Sequence, residues 1–253
     1  MNATETTMKY LGVILALALV AGQVLAFRIN ENDSQLQHVR HKRSLNDKFY
    51  NFLESFKDVL REGNATLGLP PMDPYVNEEL DLVINETIAQ GTVQLRNVNA
   101  VGLAGYNIDD AEVALFPPSV TVGLTWPQLF LETDYTFKVL FANKYDAFGN
   151  GHLVLTVSNL MFHTIVKFNL SGGFRVKSME TKISLGGLKL HVTGLFEDPQ
   201  ISDMLGVALS DVAPEMVQIY QANITAIVNE KATALIDSKF EGKSFEDIIH
   251  MFD

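Results

Sequence analysis

The sequence predicts an α+β fold in which a highly curved antiparallel β-sheet wraps a long C-terminal helix and forms an elongated hydrophobic tube. Three observations carry this. Apolar and polar residues alternate through runs as long as Leu129 to Phe141, well beyond the usual strand. Glycine-rich dipeptides and tripeptides separate such runs, as in antiparallel meanders. Helical spacing then persists from Ile201 to Lys239, with a single proline at 214.

The chain opens on a segment with the pattern of a secretory signal. Lys9 supplies a positive flank, Leu11 to Val20 is an apolar run short for a bilayer, and Val24 and Ala26 are small residues that place a cut after Ala26. Residues 27–43 are polar and aperiodic and end in Arg40-His41-Lys42-Arg43, which resembles a furin-type site. They read as a propeptide released after Arg43, leaving 44–253 as one domain with no repeat or low-complexity linker. Acceptor triplets at Asn64, Asn85 and Asn169 fit N-glycosylation, whereas the one at Asn223 falls mid-helix beside an apolar stripe. A secreted, extracellular protein is expected.

Within the domain, Phe49, Phe52 or Leu53, Phe56 and Leu60 recur at helical spacing over 46–61, with Gly63 as the stop. A loop through Leu69-Pro70-Pro71-Met72-Asp73-Pro74 leads to 76–90, where Leu80, Ile84 and Ile88 predict a second helix. From Gly91 the period is two. Val120, Val122, Leu124 and Trp126 alternate ahead of the Leu129 to Phe141 run. A turn at Gly149-Asn150-Gly151 precedes Leu153, Leu155 and Val157, and then Leu160, Phe162, Thr164, Val166, Phe168 and Leu170. Gly172-Gly173 marks another turn before Phe174, Val176, Ile183 and Leu185, and Gly186-Gly187 leads into Leu188, Leu190 and Val192. In the last helix Val212, Met216, Ile219, Tyr220, Ile227 and Ala234 share one side, widened by Ile224, Val228 and Leu235. Glu215, Gln218, Thr225, Asn229 and Thr233 lie opposite. So wide a band suits a helix held in a concave sheet.

Composition excludes several functions. A net charge of −11 repels nucleic acid and anionic headgroups. The absence of cysteine removes thiol nucleophiles, disulfides and thiolate metal sites. There is no H-E-x-x-H, G-x-S-x-G, P-loop or G-x-G-x-x-G pattern. His152, His163, His191 and His250 have no second ligand one helical turn away, so neither a metal nor a cofactor is expected. Asp109-Asp110 reads as a solvated pair in a turn. Catalysis and stable membrane insertion are not expected.

What remains is an excess of inward-facing apolar residues on long strands, which suits a cavity for an acyl chain or isoprenoid. Each buried methylene contributes roughly 0.8 kcal/mol, so such a ligand binds with few polar contacts. The alternation places Trp126, Tyr135, Phe137, Val139 and Phe141 on the sheet wall, together with Phe162, Val166 and Phe168. Met216, Ile219, Tyr220 and Ile227 form the helix wall.

Four stretches carry a family resemblance. Leu69 to Pro74 is similar to a G-[IL]-P-x-L-D-P segment. Val93 to Leu103 is similar to a first strand ending in a V-x-G-L turn. Leu188 to Leu209 is similar to the strand and turn that enter a final helix, and Ser210 to Phe240 to that helix. Over about residues 45–240 the chain thereby resembles the group-seven mite-allergen-like proteins of arthropods and, more loosely, the juvenile-hormone-binding and takeout proteins of the tubular lipid-binding superfamily. The resemblance implies a long helix wrapped by a curved sheet with a hydrophobic ligand between them. Juvenile-hormone-binding and takeout proteins usually carry an N-terminal cysteine pair; its absence here favours the mite-allergen-like branch. The expected function is a secreted binding protein that carries or sequesters a fatty acid, isoprenoid or similar molecule. The alternative is a ligand-free extracellular interaction protein, in innate immunity, with a protein receptor as its partner.

Overall fold

A computed structural model describes residues 35–240 apart from 66–68, 87–88, 143 and 170–174; side chains are described from Leu45 on, except at a few positions such as Phe141 and Leu235. The signal segment with its cut after Ala26, the start of the expected propeptide, Ile88 and the Gly172-Gly173 turn lie outside the described residues, as does the side chain of Arg43.

The chain runs as α1 (Gln35–Glu62), β1 (Tyr75–Glu86), β2 (Ala89–Val101), β3 (Asn107–Leu115), β4 (Pro118–Phe141), β5 (Tyr145–Asn169), β6 (Arg175–Val192), α2 (Pro199–Ile219) and α3 (Gln221–Phe240). The strands form one six-stranded antiparallel sheet in the order β1-β2-β4-β5-β6. The 24-residue β4 pairs β3 along its first half and β2 along its second. The α+β class and the long antiparallel strands match expectation, and the sheet does not close on itself.

Several local expectations are corrected. Residues 75–86 are a strand, with Leu80 paired to Leu95 and Ile84 to Gly91. Leu80 and Ile84 stand four apart, a spacing that fits one face of either a helix or a strand, and Leu82 between them is the residue that decides. Pairing with β2 overrides the local helical propensity. The reversal after β4 falls between Phe141 and Tyr145, with Ala142 at φ 49°, so Gly149-Asn150-Gly151 lies inside β5. These glycines are there for close approach: a Cβ on Gly151 would sit 2.0 Å from the Thr193 carbonyl oxygen. Gly186-Gly187 likewise lies within β6, and Asp109-Asp110 within β3. There Asp109 accepts a hydrogen bond from the Thr125 hydroxyl and Asp110 faces His163 at 3.4 Å. The C-terminal helix is two helices, broken at Tyr220.

Two apolar cores sit at opposite ends of the sheet. At the first, α1 lays Phe49, Leu53, Phe56 and Leu60 on Val120, Val122, Leu124, Val166 and Phe168; none of the nine exceeds 8% exposure. Burying each such side chain stabilises by roughly 1.5–3 kcal/mol. Polar anchors fix the register of α1. The Asn46 side-chain Oδ1 accepts from the Val113 amide at 3.0 Å, and the Tyr106 hydroxyl donates to the Leu53 carbonyl at 2.6 Å. Burial, aided by nearby Glu54, pushes the Tyr106 phenol far above its usual range, so it remains a donor. Gly63, at φ 78°, ends α1, and the chain passes to Asp73. The Asp73 carboxylate accepts from the amides of Gly102 (2.8 Å) and Ala104 (2.7 Å). Two of the four stretches that carry the family resemblance are thus bonded to each other.

The second core gathers Tyr135, Val192 and Leu195 with Leu95, Phe137, Leu153, Leu190, Phe196 and Leu205. Tyr135 donates to the Thr193 carbonyl at 2.6 Å, pinning the segment that enters α2. Asp198 then caps α2, accepting from Gln200 (2.8 Å) and Ile201 (3.2 Å), and Pro199 fills the first helical turn.

Candidate ligand groove

The C-terminal helices run between these two cores. Leu205 of α2 packs into the second core and Ile236 of α3, fully buried, into the first. Between the ends they follow the free edge of β6 and are fastened to it by side-chain hydrogen bonds. Ser202 accepts from the Leu195 amide just past the strand (3.0 Å), Ser210 from Leu190 (2.8 Å), Gln221 from Ile183 (3.2 Å) and Asp237 from Val176 (2.9 Å). Asn229 donates to the Met179 carbonyl at 3.0 Å and accepts from the Thr181 hydroxyl at 2.5 Å. An edge strand carries a row of unpaired amides and carbonyls, and these side chains satisfy part of it. Asn229, which the sequence places opposite the apolar band, is one of them, and Thr225 on the same side is buried with its hydroxyl on the Gln221 carbonyl of its own helix. The polar side of the helix therefore meets the sheet edge.

The apolar side is left open along the middle. Leu205, Leu209, Val212, Met216 and Ile219 follow one another at intervals of four and three residues, which places them on one face. That face starts against Tyr135 and Phe137 and then emerges: Leu209 is 47% exposed, Val212 and Met216 43%, Ile219 63%. Tyr220, at 50%, and Ile227, at 57%, continue the exposure past the break. On the sheet, Leu129, Leu131, Leu155, Val157, Leu160, Phe162 and Leu188 are all only half-buried, and Leu185 is at the buried limit. Both walls are thus apolar and incompletely covered between two dry ends.

A line across the sheet marks this middle section. Core-facing residues are even-numbered in β4 from Val120 to Leu124 and odd-numbered from Tyr135 on, with Pro127 between. In β5 the change falls near Asn159, at φ 49°, between Leu153 and Val166. In β6 it falls at Gly186-Gly187, where a Cβ on Gly186 would lie 2.7 Å from Asn159 Cβ. Gln128 pairs with Ser158 and Ser158 with Gly187, so the three irregularities are neighbours.

The twelve residues expected to line the tube separate into three groups. Val166 and Phe168 are core under α1, and Trp126 belongs with them: its indole donates to the Leu103 carbonyl at 2.9 Å and meets Tyr106 edge-on at 5.7 Å. Tyr135, Phe137 and Val139 stand at the other end; Tyr135 and Phe137 belong to the second core and stack at 5.8 Å. Burial raises the Tyr135 phenol. Phe162 faces the middle from the sheet, and Met216, Ile219, Tyr220 and Ile227 are exposed on the helices. Phe141 closes β4, its side chain outside the described residues. Leu209, Val212, Leu155 and Val157 were not among the twelve; their aliphatic alternation is in the sequence, but aromatic neighbours draw attention first. Of the acceptor asparagines, Asn85 and Asn169 are exposed on strands, and Asn64 is half-buried in a bridge to Leu69.

Among the described residues no group of three metal-ligating side chains exists, and no helix is long and apolar enough to cross a membrane. On the side of the sheet away from the cores, the His152 imidazole lies 2.9 Å from Asp134 and 3.1 Å from Glu132. The hydrogen bond to Asp134, with that to Glu132, raises the His152 pKa. The Asp134 carboxyl is held below its usual range by Asn97 and then by His152.

Residues 14–250 match the sequence model of the haemolymph juvenile hormone binding protein family. The fold is similar to the crystal structure of Epiphyas postvittana Takeout 1, at 17% sequence identity and a TM-score of 0.51 over 79% of this chain and 89% of that one. A crystal structure of lipopolysaccharide binding protein aligns at 14% identity over 68% of this chain and 36% of that one, with a TM-score of 0.28. No curated protein sequence matches. The family matched is the one to which the sequence motifs showed the looser of their two resemblances.

Proposed function

Because the chain belongs to the haemolymph juvenile hormone binding protein family, we propose that it is a secreted carrier that binds a small hydrophobic molecule between the C-terminal helices and the middle of the sheet. One observation carries the reading. The helix face that begins against the second core continues as Leu209, Val212, Met216 and Ile219, 43–63% exposed, opposite a half-buried aliphatic sheet wall. A monomer that leaves a stripe of this kind uncovered keeps it for an apolar partner. An acyl or isoprenoid chain laid along the stripe would lose water at roughly 25 cal/mol per Å2. Met216, unbranched and polarizable, adapts to the outline of such a chain. The two cores set the ends of the groove and so its length.

No step of this function calls for catalysis. Binding needs the two walls, the seam on β6 that sets their separation, and Tyr135 at one end. Cleavage after Ala26 and Arg43 and glycosylation at Asn64, Asn85 and Asn169 belong to the same proposal and are read by intact mass of the secreted protein.

Native mass spectrometry of protein secreted from insect cells, followed by organic extraction, tests the proposal. A discrete extra mass matching an extractable lipid supports it. A bare protein mass that stays bare when fatty acids, retinoids or juvenile hormone are added overturns it in favour of a ligand-free extracellular interaction protein, whose receptor would cover the same stripe.

A further inference from the structure

The opposite face of the same sheet edge carries a second cavity. In the β5–β6 register Val154 faces His191 and Thr156 faces Lys189. These four alternate with Leu153, Leu190 and Val192, which point into the second core, so they stand on the other side of the sheet. There α2 overhangs the edge with Val207, Ser210 and Asp211, leaving an open pocket of about 370 Å3, within the range of small-molecule sites. The Ser210 hydroxyl is committed to the Leu190 amide and the Gly206 carbonyl, so it fixes the wall. The helix and the strand edge it grips lie between this cavity and the apolar groove.

The charges of the pocket are unpaired. Lys189 and Asp211 both line it, yet neither has a hydrogen-bond or ion-pair partner among the described residues, and they do not pair with each other. His191 and the Thr156 hydroxyl are equally uncommitted. A lysine and an aspartate that share a pocket and remain apart present opposite charges to whatever lies between them, while Val154 and Val207 supply an aliphatic floor. We propose that this cavity binds a small zwitterion with a short aliphatic body. Its anionic oxygens would be held by Lys189 with His191 and Thr156, and its ammonium by Asp211. The hydrogen bonds are charge-assisted at both ends, which makes them the stronger kind. A free amino acid such as leucine and the headgroup of an ethanolamine phospholipid share this chemistry. The inference is independent of the cargo proposed for the groove.

Ligand-observed saturation-transfer NMR on the full secreted chain tests it, with leucine and phosphoethanolamine as soluble probes, butyrate and butylamine as single-charge controls, and phosphatidylethanolamine vesicles assayed by cosedimentation. The expected result is saturable binding of at least one zwitterion, about tenfold tighter than either control and weakened about tenfold by Lys189→Gln and by Asp211→Asn. Glu79→Gln, on β1 at the opposite border of the sheet, should bind as the parent does. Vesicle binding displaced by phosphoethanolamine assigns a lipid headgroup as the source, and soluble binding without vesicle binding assigns a free zwitterion. Absence of saturable binding up to about 10 mM, equal binding of a single-charge control, or affinity unchanged in both variants would overturn it. Both substituted side chains are exposed, so an unchanged thermal melt certifies that the variants are folded.

Discussion

α1 and the C-terminal helices cover the same sheet in opposite ways. α1 turns its aromatic face down, with Phe49 at 0% and Phe56 at 3% exposure, and leaves Asp58 and Arg61 in water. α2 and α3 instead turn serine, glutamine, asparagine and aspartate to the edge of β6 and leave Met216 at 43% and Ile219 at 63%. A helix that serves only as a lid on a core buries its apolar face. One that holds open a binding surface fastens itself by its polar face and keeps the apolar face available. Amphipathicity alone does not distinguish the two, because α1 and α2 both have it.

The contrast can be broken from either side. Phe49→Ala should cost about 3–5 kcal/mol in urea unfolding, while leaving lipid uptake per folded molecule as it was; equal losses of stability and uptake would mean that the α1 core extends into the groove. Met216→Asp should do the reverse. Lipid affinity should fall by about 2–3 kcal/mol, since a charge then faces an alkyl chain, with the thermal melt nearly unmoved. A large loss of stability instead would show that this face is core in solution. Gly151→Ala should cost about 1–3 kcal/mol by forcing the Thr193 backbone away from β5, and hydrogen exchange should locate the loosening at the entry to α2. Asn229→Ala should cost about 1 kcal/mol through the orphaned Met179 carbonyl, with faster exchange confined to β6 and α3.

The smallest effect concerns pH. The His152 pKa is raised in the folded state, so its contribution is full below the ordinary histidine value and is lost as pH rises through the folded one. Asp134, depressed, contributes above the ordinary carboxylate value and loses this as pH falls through its folded one. Both side chains are about half exposed, so the stability change is slight. An NMR titration should still place the His152 midpoint above that of a free histidine, and Asp134→Asn should lower it.

Much of the fold is legible in the sequence because period-two alternation over a dozen residues has no other explanation. The helix at Phe49 to Leu60 is legible for the same reason at period 3.6. Residues 75–86 were not, because Leu80 and Ile84 satisfy both periods and only the partner strand chooses. Gly149 and Gly151 read as a turn because glycine serves reversal and close contact alike, and the Thr193 carbonyl that they accommodate is distant in sequence. The candidate groove was legible on the helix side, where Met216, Ile219 and Ile227 are found exposed. It was less so on the sheet, since alternation says which side chains face inward but not which part of the inner face α1 fills. Val166 and Phe168 fall under that helix, while Phe162, four residues before Val166, does not.

The seam on β6 has a consequence for the protein at high concentration. β6 is 18 residues long and forms one border of the sheet. A bare border of that length invites other chains to add their own strands and grow into fibrils. Ser210, Gln221, Asn229 and Asp237 occupy bonding positions along it that an incoming strand would need. Cargo entry that lifted the helices away whole would unmask this border at every exchange. If cargo enters as proposed, an opening confined to the stretch around Tyr220, where the helix is already broken, would admit it while the outer bonds stay closed and the border stays covered.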